Sequence, residues 1–90
     1  MLEKKMVFDK IMFILEPTEE IEYASLEKKR DFNVLVLTNQ RIIFTNCELL
    51  NKDVFHFFKI KNNNVQTINR IKKNLQSETN INDIIKQYFN

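Results

Sequence analysis

The most constraining feature of this chain is that its 90 residues contain no glycine. Glycine lets backbone N–H groups come close to a phosphate, so P-loop, dinucleotide-binding and kinase-type phosphate sites are excluded. The nucleophile elbow of α/β-hydrolases and the calcium loop of the EF-hand also need glycine at fixed positions. The usual signatures of RRM and KH domains need it too. The sequence therefore excludes many common enzymes and several common binding modules.

Length and composition predict one small cytoplasmic domain spanning residues 1–90. Apolar residues make up 43% of the chain, which is enough for one core. The longest apolar run, Ile11–Leu15, is far shorter than the 18 or so residues of a membrane span, so no transmembrane segment is predicted. The single cysteine, Cys47, rules out an internal disulfide and fits a reducing compartment. One cysteine and one histidine are too few ligands for a zinc site, and no cofactor is predicted.

Apolar periodicity predicts a helix at the start of the chain. Met1–Leu15 carries apolar residues almost all round, so we expect this helix to be well buried or to dock a partner with part of its surface. It should end at Glu16, because the residue before Pro17 disfavours the α region.

Two further helices are predicted at the end of the chain. Val65–Leu75 places its apolar residues on one face, and Asn63 resembles an N-cap for it. Ile81–Phe89 repeats the pattern, with Asn80 in the position of the cap.

The middle of the chain predicts a β-hairpin followed by a third strand. Val34–Leu37 and Arg41–Thr45 are apolar, β-branched runs separated by Thr38–Gln40, a turn, and the hairpin should be buried on both faces at its centre. Val54–Ile60 should pair antiparallel with the second strand through a turn near Leu50.

Residues Glu16–Arg30 allow two structures. As a strand, Ile21, Tyr23 and Ser25 alternate with polar neighbours. As a helix, Pro17 lies in the first turn, acidic residues follow it and basic residues end the segment, an order that suits the helix macrodipole. Local propensity favours the helix.

The hairpin sequence VLVLTNQRIIF, Val34–Phe44, resembles the central hairpin of bacterial PH-like domains. Its most specific part is Leu37–Arg41, with the pattern Leu-Thr-Asn-x-Arg. Pro17–Tyr23 is similar to the acidic segment that precedes this hairpin in the family, Phe58–Ile60 to the step that follows it, and Ile81–Phe89 to the closing helix. The resemblance implies a strand over residues 20–28 and a binding module without a specified ligand.

The predicted fold is α+β. A short antiparallel sheet of three to five strands packs against an N-terminal helix and one or two C-terminal helices, in a PH-like arrangement.

Candidate catalytic groups are few, and the predicted class is not an enzyme. In the expected hairpin register residue 44 faces His56 and residue 47 faces residue 53, which separates Cys47 from His56 by about 10 Å along the strand. A catalytic dyad needs contact at about 3 Å. The carboxylates of Glu19, Glu20 and Glu22 have no predicted pocket, and we expect all three to be solvated.

The basic residues of the C-terminal half form the best candidate for a partner- or anion-binding site. They are Lys59, Lys61, Arg70, Lys72 and Lys73. A net charge of only +2 argues against a strong nucleic-acid footprint, so a protein partner is favoured over nucleic acid. The acidic stretch Glu16–Glu27 and the basic stretch Lys52–Leu75 are consistent with self-association into a homodimer.

Three functions follow as expectations. The first is a non-catalytic protein-interaction module of PH-like type. The second is a small phage or mobile-element inhibitor, similar in kind to anti-CRISPR proteins, that binds and blocks a host or defence nuclease. The third is nucleic-acid binding through the basic residues, with the steep salt dependence that phosphate contacts impose.

Overall fold

The α+β class is confirmed by a computed structural model, which describes residues 4–27, 33–77 and 80–90. The chain forms an N-terminal helix, an antiparallel sheet and two C-terminal helices, with one further short helix inside the sheet region. In chain order the elements are α1 (Lys4–Ile14), β1 (Ile21–Glu27), β2 (Asn33–Thr38), β3 (Arg41–Asn46), α2 (Cys47–Asn51), β4 (His56–Lys59), α3 (Val65–Gln76) and α4 (Ile81–Tyr88).

The four strands form an antiparallel meander in which each strand pairs with its neighbour in the sequence, in the order β1-β2-β3-β4. Asn39 and Gln40 make the tight turn between β2 and β3. The predicted hairpin and its third strand are therefore confirmed, and Phe44 lies opposite His56 in the expected register.

Residues 21–27 form a strand, so the helix that local propensity favours here is wrong; residues 28–30 of the same segment lie outside the described part of the chain. The strand carries an irregularity in its pairing between Ile21 and Tyr23. Such a bulge changes which face the following residues occupy. Ile21 and Ala24 accordingly contact one core while Tyr23 contacts the other, which corrects the simple alternation expected from the sequence.

Helices cover both faces of the sheet, and each face has its own core. On the face covered by α1 and α2, the α1 face, the buried residues are Val7, Ile11, Val34, Val36, Ile43 and Leu50. On the face covered by α3 and α4, the α3 face, they are Leu35, Leu37, Ile42, Ile60, Ile68, Ile71, Ile84 and Phe89. Consecutive residues of a strand point to opposite faces, so a strand buried on both sides is apolar without interruption. This explains the run Val34–Leu37 and confirms its predicted burial.

Helix α1 is buried along one side only, although the sequence places apolar residues almost all round it and allows either a well-buried helix or one that docks a partner with part of its surface. Val7 and Ile11 are fully buried against the sheet. Met12 and Phe13 are 59% and 89% exposed, and Met6 is 40% exposed. A helix lying on a sheet buries one stripe, and its remaining apolar residues stay in solvent unless another element covers them.

The connection between β3 and β4 is the short helix α2, where the sequence predicted a turn near Leu50. Asn46 caps this helix, because its side-chain oxygen accepts a hydrogen bond from the backbone N–H of Leu49 at 2.8 Å. Leu50 is fully buried and joins the core on the α1 face. Asp53 then turns the chain into β4 with a positive φ of 56°, a conformation that Asp tolerates better than most residues.

The C-terminal helices cover the α3 face of the sheet. Asn80 caps α4, as predicted. Helix α3 is capped by Asn64, whose side chain accepts a hydrogen bond from the N–H of Thr67 at 2.9 Å; the predicted cap, Asn63, is one residue too early. After α4 the chain forms a bridge between Phe89 and Ile60 at the end of β4.

Within the described ranges, every helix is too short or too polar to cross a membrane.

The cap assignment gives a test that distinguishes two adjacent asparagines. We expect Asn64→Ala to lower the free energy of unfolding by about 1 kcal/mol, because it leaves a helix N–H without its partner. Asn63→Ala, the matched control, should change it by less than about 0.5 kcal/mol. Urea denaturation followed by circular dichroism measures both, and the reverse order would contradict the assignment.

Candidate functional site

A buried ion pair joins the loop after α1 to the first residue of β3. Glu19 lies between α1 and β1, and its side chain is fully buried. Arg41 donates to both of its carboxylate oxygens, from Nε to Oε2 at 2.8 Å and from Nη2 to Oε1 at 2.9 Å. This two-bond geometry is the strong form of an arginine–carboxylate contact.

Two further donors complete the environment of the Glu19 carboxylate. The hydroxyl of Thr38 donates to Oε2 at 2.6 Å, and the backbone N–H of Glu16 donates to Oε1 at 3.0 Å. Each oxygen therefore accepts two hydrogen bonds, as a buried carboxylate requires. The Thr38 oxygen in turn accepts from the backbone N–H of Arg41 at 3.1 Å, within the β2–β3 turn.

These contacts determine the charge state of Glu19. Burial by itself raises the pKa of a carboxyl, because it disfavours the charged form. The hydrogen bonds from Arg41, Thr38 and Glu16 and the positive charge of Arg41 outweigh it, so the pKa of Glu19 lies below its ordinary value of 4.5. Glu19 is therefore ionised at neutral pH.

The turn residues bind the same loop through their backbone and side chains. Asn39 exchanges two hydrogen bonds with the backbone of Glu20, each 3.0 Å long, and its Nδ2 donates to the carbonyl of Thr18 at 3.2 Å. Gln40 Nε2 donates to the hydroxyl of Thr18 at 3.2 Å. We call the contacts between residues 16–20 and residues 38–41 the Glu19 clasp. The polar residues Thr38, Asn39, Gln40 and Arg41 thus have a structural use within this chain.

Arg41 extends the clasp to two other elements. Its Nη2 donates to the carbonyl of Ile14 at 3.0 Å, which satisfies a backbone acceptor at the C-terminus of α1. The guanidinium also lies over the ring of Phe57 in β4, 4.4 Å from the ring centre, a cation–π contact. One side chain therefore contacts α1, the loop before β1 and β4.

The expectation that all three carboxylates are solvated is wrong for Glu19. Glu20 is exposed, and Glu22 is half-buried. The signal that could have identified Glu19 is the arginine of the Leu37–Arg41 motif, since an arginine at the start of an apolar strand needs a buried partner. Position alone could not have selected one glutamate among several.

A second feature is an apolar groove between α1 and the residues just before β4, which we call the α1–β4 groove. Its volume is about 500 Å³. The apolar side chains along it are Met6, Phe13, Ile14 and Phe55, and its charged residues are Asp9, Lys10 and Asp53. Met6, Lys10 and Phe13 follow the helical spacing of one face of α1.

An ion pair joins the two walls of the α1–β4 groove. Lys10 Nζ lies 2.9 Å from Asp53 Oδ1 and 3.0 Å from the carbonyl oxygen of Leu50. Asp53 remains largely exposed, so solvent screens this pair and it adds little to stability.

The basic residues predicted as a site lie on different elements. Lys59 is exposed at the end of β4 and lines a polar groove of about 920 Å³, which also contains Glu16, Glu22 and Arg41. Lys61 is exposed in the loop after β4 and donates to the carbonyl of Lys86 in α4 at 3.3 Å.

The other three basic residues belong to α3. Ile68 and Ile71 are buried against the sheet, so the exposed Arg70 and Lys73 lie on the outer side of the helix, with the half-buried Lys72 at its flank. Lys59 shares its groove with Glu16 and Glu22, whereas Arg70 and Lys73 are exposed on α3 and do not line that groove. Anion binding by this set stays a prediction.

The residues of the rejected dyad occupy two elements. His56 is exposed in β4, and Cys47 is the first residue of α2; the side chain of Cys47 lies outside the described part of the structure. Among the side chains that the structure does describe, no three His, Cys, Asp or Glu residues come together as a metal site.

Comparison with known proteins returns no matching family model, no matching curated protein and no matching solved structure. The PH-like resemblance of Val34–Phe44 therefore stays a prediction.

The clasp predicts a large difference between two neighbouring glutamates. Glu19→Gln should lower the free energy of unfolding by about 2–4 kcal/mol, because Arg41 loses its charged partner inside the protein. Glu20→Gln, the matched control, should change it by less than about 0.5 kcal/mol, because the bonds of Glu20 in the clasp come from its backbone. Chemical denaturation at pH 7 measures both, and equal effects would show that the clasp does not stabilise the fold.

The lowered pKa of Glu19 predicts the direction of a pH effect. A carboxyl whose pKa is lower in the folded state stabilises the protein fully above its unfolded pKa and loses that contribution as pH falls through the folded pKa. We therefore expect wild type to lose stability more steeply than Glu19→Gln below about pH 4.5. Melting temperatures between pH 7 and pH 2.5 provide the comparison, and parallel curves would contradict it.

Proposed function

We propose that this chain is a non-catalytic protein-interaction module of PH-like type, working in the cytoplasm, which binds an amphipathic helix of a partner protein in the α1–β4 groove. The exposure of Phe13 carries the proposal. A phenylalanine that is 89% exposed beside an apolar groove gains about 1.5–3 kcal/mol when a partner buries it.

The residues around Phe13 form a cluster, which is more typical of a docking surface than of an isolated exposed residue. Met6 is 40% exposed on the same face of α1, and Phe55 provides the opposite wall. Clustered aromatic and methionine side chains are typical of the energetically important centre of protein interfaces. Single exposed apolar residues need no explanation, but a cluster along a groove does.

The shape of the groove supports a helical ligand. One wall is α1 itself, so the groove runs along a helix, and an amphipathic helix places apolar residues into such a groove at every third or fourth position. Lys10 and Asp53 line the same groove and offer both signs of charge to the polar flank of the ligand.

The Glu19 clasp supports binding in the α1–β4 groove and not at the β2–β3 turn. The polar residues of the PH-like motif are engaged inside the molecule, and Arg41 anchors the C-terminus of α1 through the carbonyl of Ile14. A recognition helix held at its end by an ion pair loses little freedom on binding, which favours affinity. The single cysteine, Cys47, supports the cytoplasmic location.

The two other functions stay predictions. A phage or mobile-element inhibitor of a nuclease would be a special case of protein binding and differs in the identity of the partner. Nucleic-acid binding would use Lys59, Lys61, Arg70, Lys72 and Lys73 instead of the α1–β4 groove.

The proposal predicts that a substitution in the α1–β4 groove strongly reduces partner capture and that a surface substitution outside the groove does not. Phe13→Glu places a charge in the groove and should reduce recovery of a bound protein at least tenfold, which corresponds to about 1.4 kcal/mol. Val65→Glu is the matched control, since Val65 is 73% exposed on α3, outside the groove. The measurement is affinity capture from extract of the source cells with and without nuclease treatment, with the recovered proteins quantified by mass spectrometry.

Two outcomes would contradict the proposal. One is a protein recovered equally by wild type, Phe13→Glu and Val65→Glu, which would place binding elsewhere. The other is recovery that depends on nucleic acid and disappears after nuclease treatment, which would favour the basic residues.

A further inference from the structure

Strand β4 is an edge of the sheet, and part of its outer side is open. The N–H of Ile60 bonds toward β3, to the carbonyl of Gln40, while the carbonyl of Lys59 bonds away from β3, to the N–H of Asn90. Backbone groups of successive residues in a strand point alternately to the two sides. The peptide groups of Phe57 therefore point outward, and the same alternation continued to Phe55, just before the strand, points its groups outward too. Within the described residues no backbone hydrogen bond reaches either residue.

The open stretch has a defined length. At one end Asn90 occupies the place beside Lys59, and at the other end the chain turns at Asp53, where φ is positive. Residues 54–58 lie between these two limits, and His56 is their centre. An open edge of this kind is a template for another strand unless the protein blocks it.

We propose that a second copy of this chain covers the open edge, with the two β4 strands antiparallel about a two-fold axis at His56. The inference deepens the proposed protein-binding function and rests on it for the class of partner. A symmetric pair uses the same surface twice, and this arrangement joins the two four-stranded sheets into one of eight strands.

The register follows from the limits of the open stretch. With His56 opposite its own copy, Phe55 lies opposite Phe57 of the second copy, and residue 54 lies opposite residue 58. Phe55 and Phe57 are the residues whose peptide groups point outward, so their pairing forms hydrogen bonds in both directions. A shift by one residue would place outward groups opposite inward groups and lose these bonds.

Charges at the two ends of the stretch are complementary in this register. Asp53, at the start, pairs with Lys10 of its own copy and is still 74% exposed at its side chain, and Lys59, at the end, is exposed. Antiparallel pairing about His56 brings Asp53 of each copy to the end occupied by Lys59 of the other. Opposite charges at the ends of paired strands favour one register over its alternatives.

Aromatic side chains supply the apolar contact. Phe57 lies opposite Ile43 and shares its face, the α1 face, and it stacks on Phe55 with ring centres 6.3 Å apart. Phe57 is 44% exposed. The pairing brings four phenylalanine rings into one strip, and cross-strand aromatic pairs are among the most favourable in antiparallel sheets.

The first test removes a single outward N–H. Phe57→Pro removes the donor that faces the second copy, because a proline on an edge strand leaves the inner hydrogen bonds intact. Phe57→Leu is the control that keeps the N–H. Sedimentation equilibrium over a wide concentration range should give a dimer for wild type and Phe57→Leu and a monomer for folded Phe57→Pro. A monomeric wild type, or a dimeric Phe57→Pro, would overturn the inference.

A second test reverses the charges at the two ends of the open stretch. Asp53→Lys and Lys59→Glu should each weaken self-association by about tenfold at low salt, because each creates two repulsive pairs. Mixing the two variants restores opposite charges at both ends, so a mixed dimer should form with nearly the wild-type affinity. Native mass spectrometry detects it, and a mixture that associates no better than its components would overturn the register.

A thiol at the axis tests the same register covalently. In a Cys47→Ser background, His56→Cys should form an intermolecular disulfide under mild oxidation, since Cα atoms of a directly opposed pair without hydrogen bonds lie about 4.5 Å apart. Lys59→Cys is the control, because its two copies would lie about 20 Å apart along the strands. Equal crosslinking at both positions would contradict the pairing.

The two proposals fail separately. A wild-type chain that stays monomeric overturns the edge pairing and leaves helix binding in the α1–β4 groove to be decided by Phe13→Glu. Capture unaffected by Phe13→Glu overturns the groove and leaves the dimer unchanged.

Discussion

The ion pair between Glu19 and Arg41 is the contact on which the arrangement of this protein depends. It lies where α1, the loop before β1, the β2–β3 turn and β4 come together, and Arg41 alone contacts three of these. A buried carboxylate is costly unless all its acceptors are used, and here four donors surround it. Each of these parts is therefore held in place, because moving it would leave a polar group of the ion pair without a partner.

The clasp also explains how a chain without glycine makes tight connections. Asn39 and Gln40 form the turn, and their side chains bond to residues Thr18 and Glu20 instead of leaving the turn to solvent. The one positive φ among the described residues belongs to Asp53, a residue type that tolerates this conformation. Asn and Asp thus take positions that glycine often occupies, and each adds a polar contact that glycine could not provide.

The sequence predicted the parts of the fold that local patterns determine. The hairpin followed from two β-branched runs around a polar turn, its register with β4 from the length of the connection, and the cap at Asn80 from its position before an apolar helix. The strand over residues 21–27 was undecided, because its pairing with β2 outweighs a local preference for helix. The bulge between Ile21 and Tyr23 could not be read from alternation, since it changes the alternation itself.

The candidate site was less predictable for a related reason. Burial of Glu19 depends on Thr38 and Arg41, residues 19 and 22 positions away, and several glutamates near it offered the same local pattern. Exposure of Phe13 depends on which side of α1 meets the sheet, and an almost uniformly apolar helix does not reveal that side. In both cases the deciding information is tertiary.

The sequential order of the four strands has a consequence for how quickly the chain reaches this structure. Each strand pairs with the one that immediately precedes or follows it, so most of the sheet forms by closing short loops. Chains rich in such local contacts fold faster than chains whose strands pair across long separations. The clasp and the bridge between Ile60 and Phe89 join residues about 20 to 30 positions apart, and they can form after the meander exists. Neither fastening covers residues 54–58 of β4, so this open stretch is available for pairing with another chain from the time the meander forms.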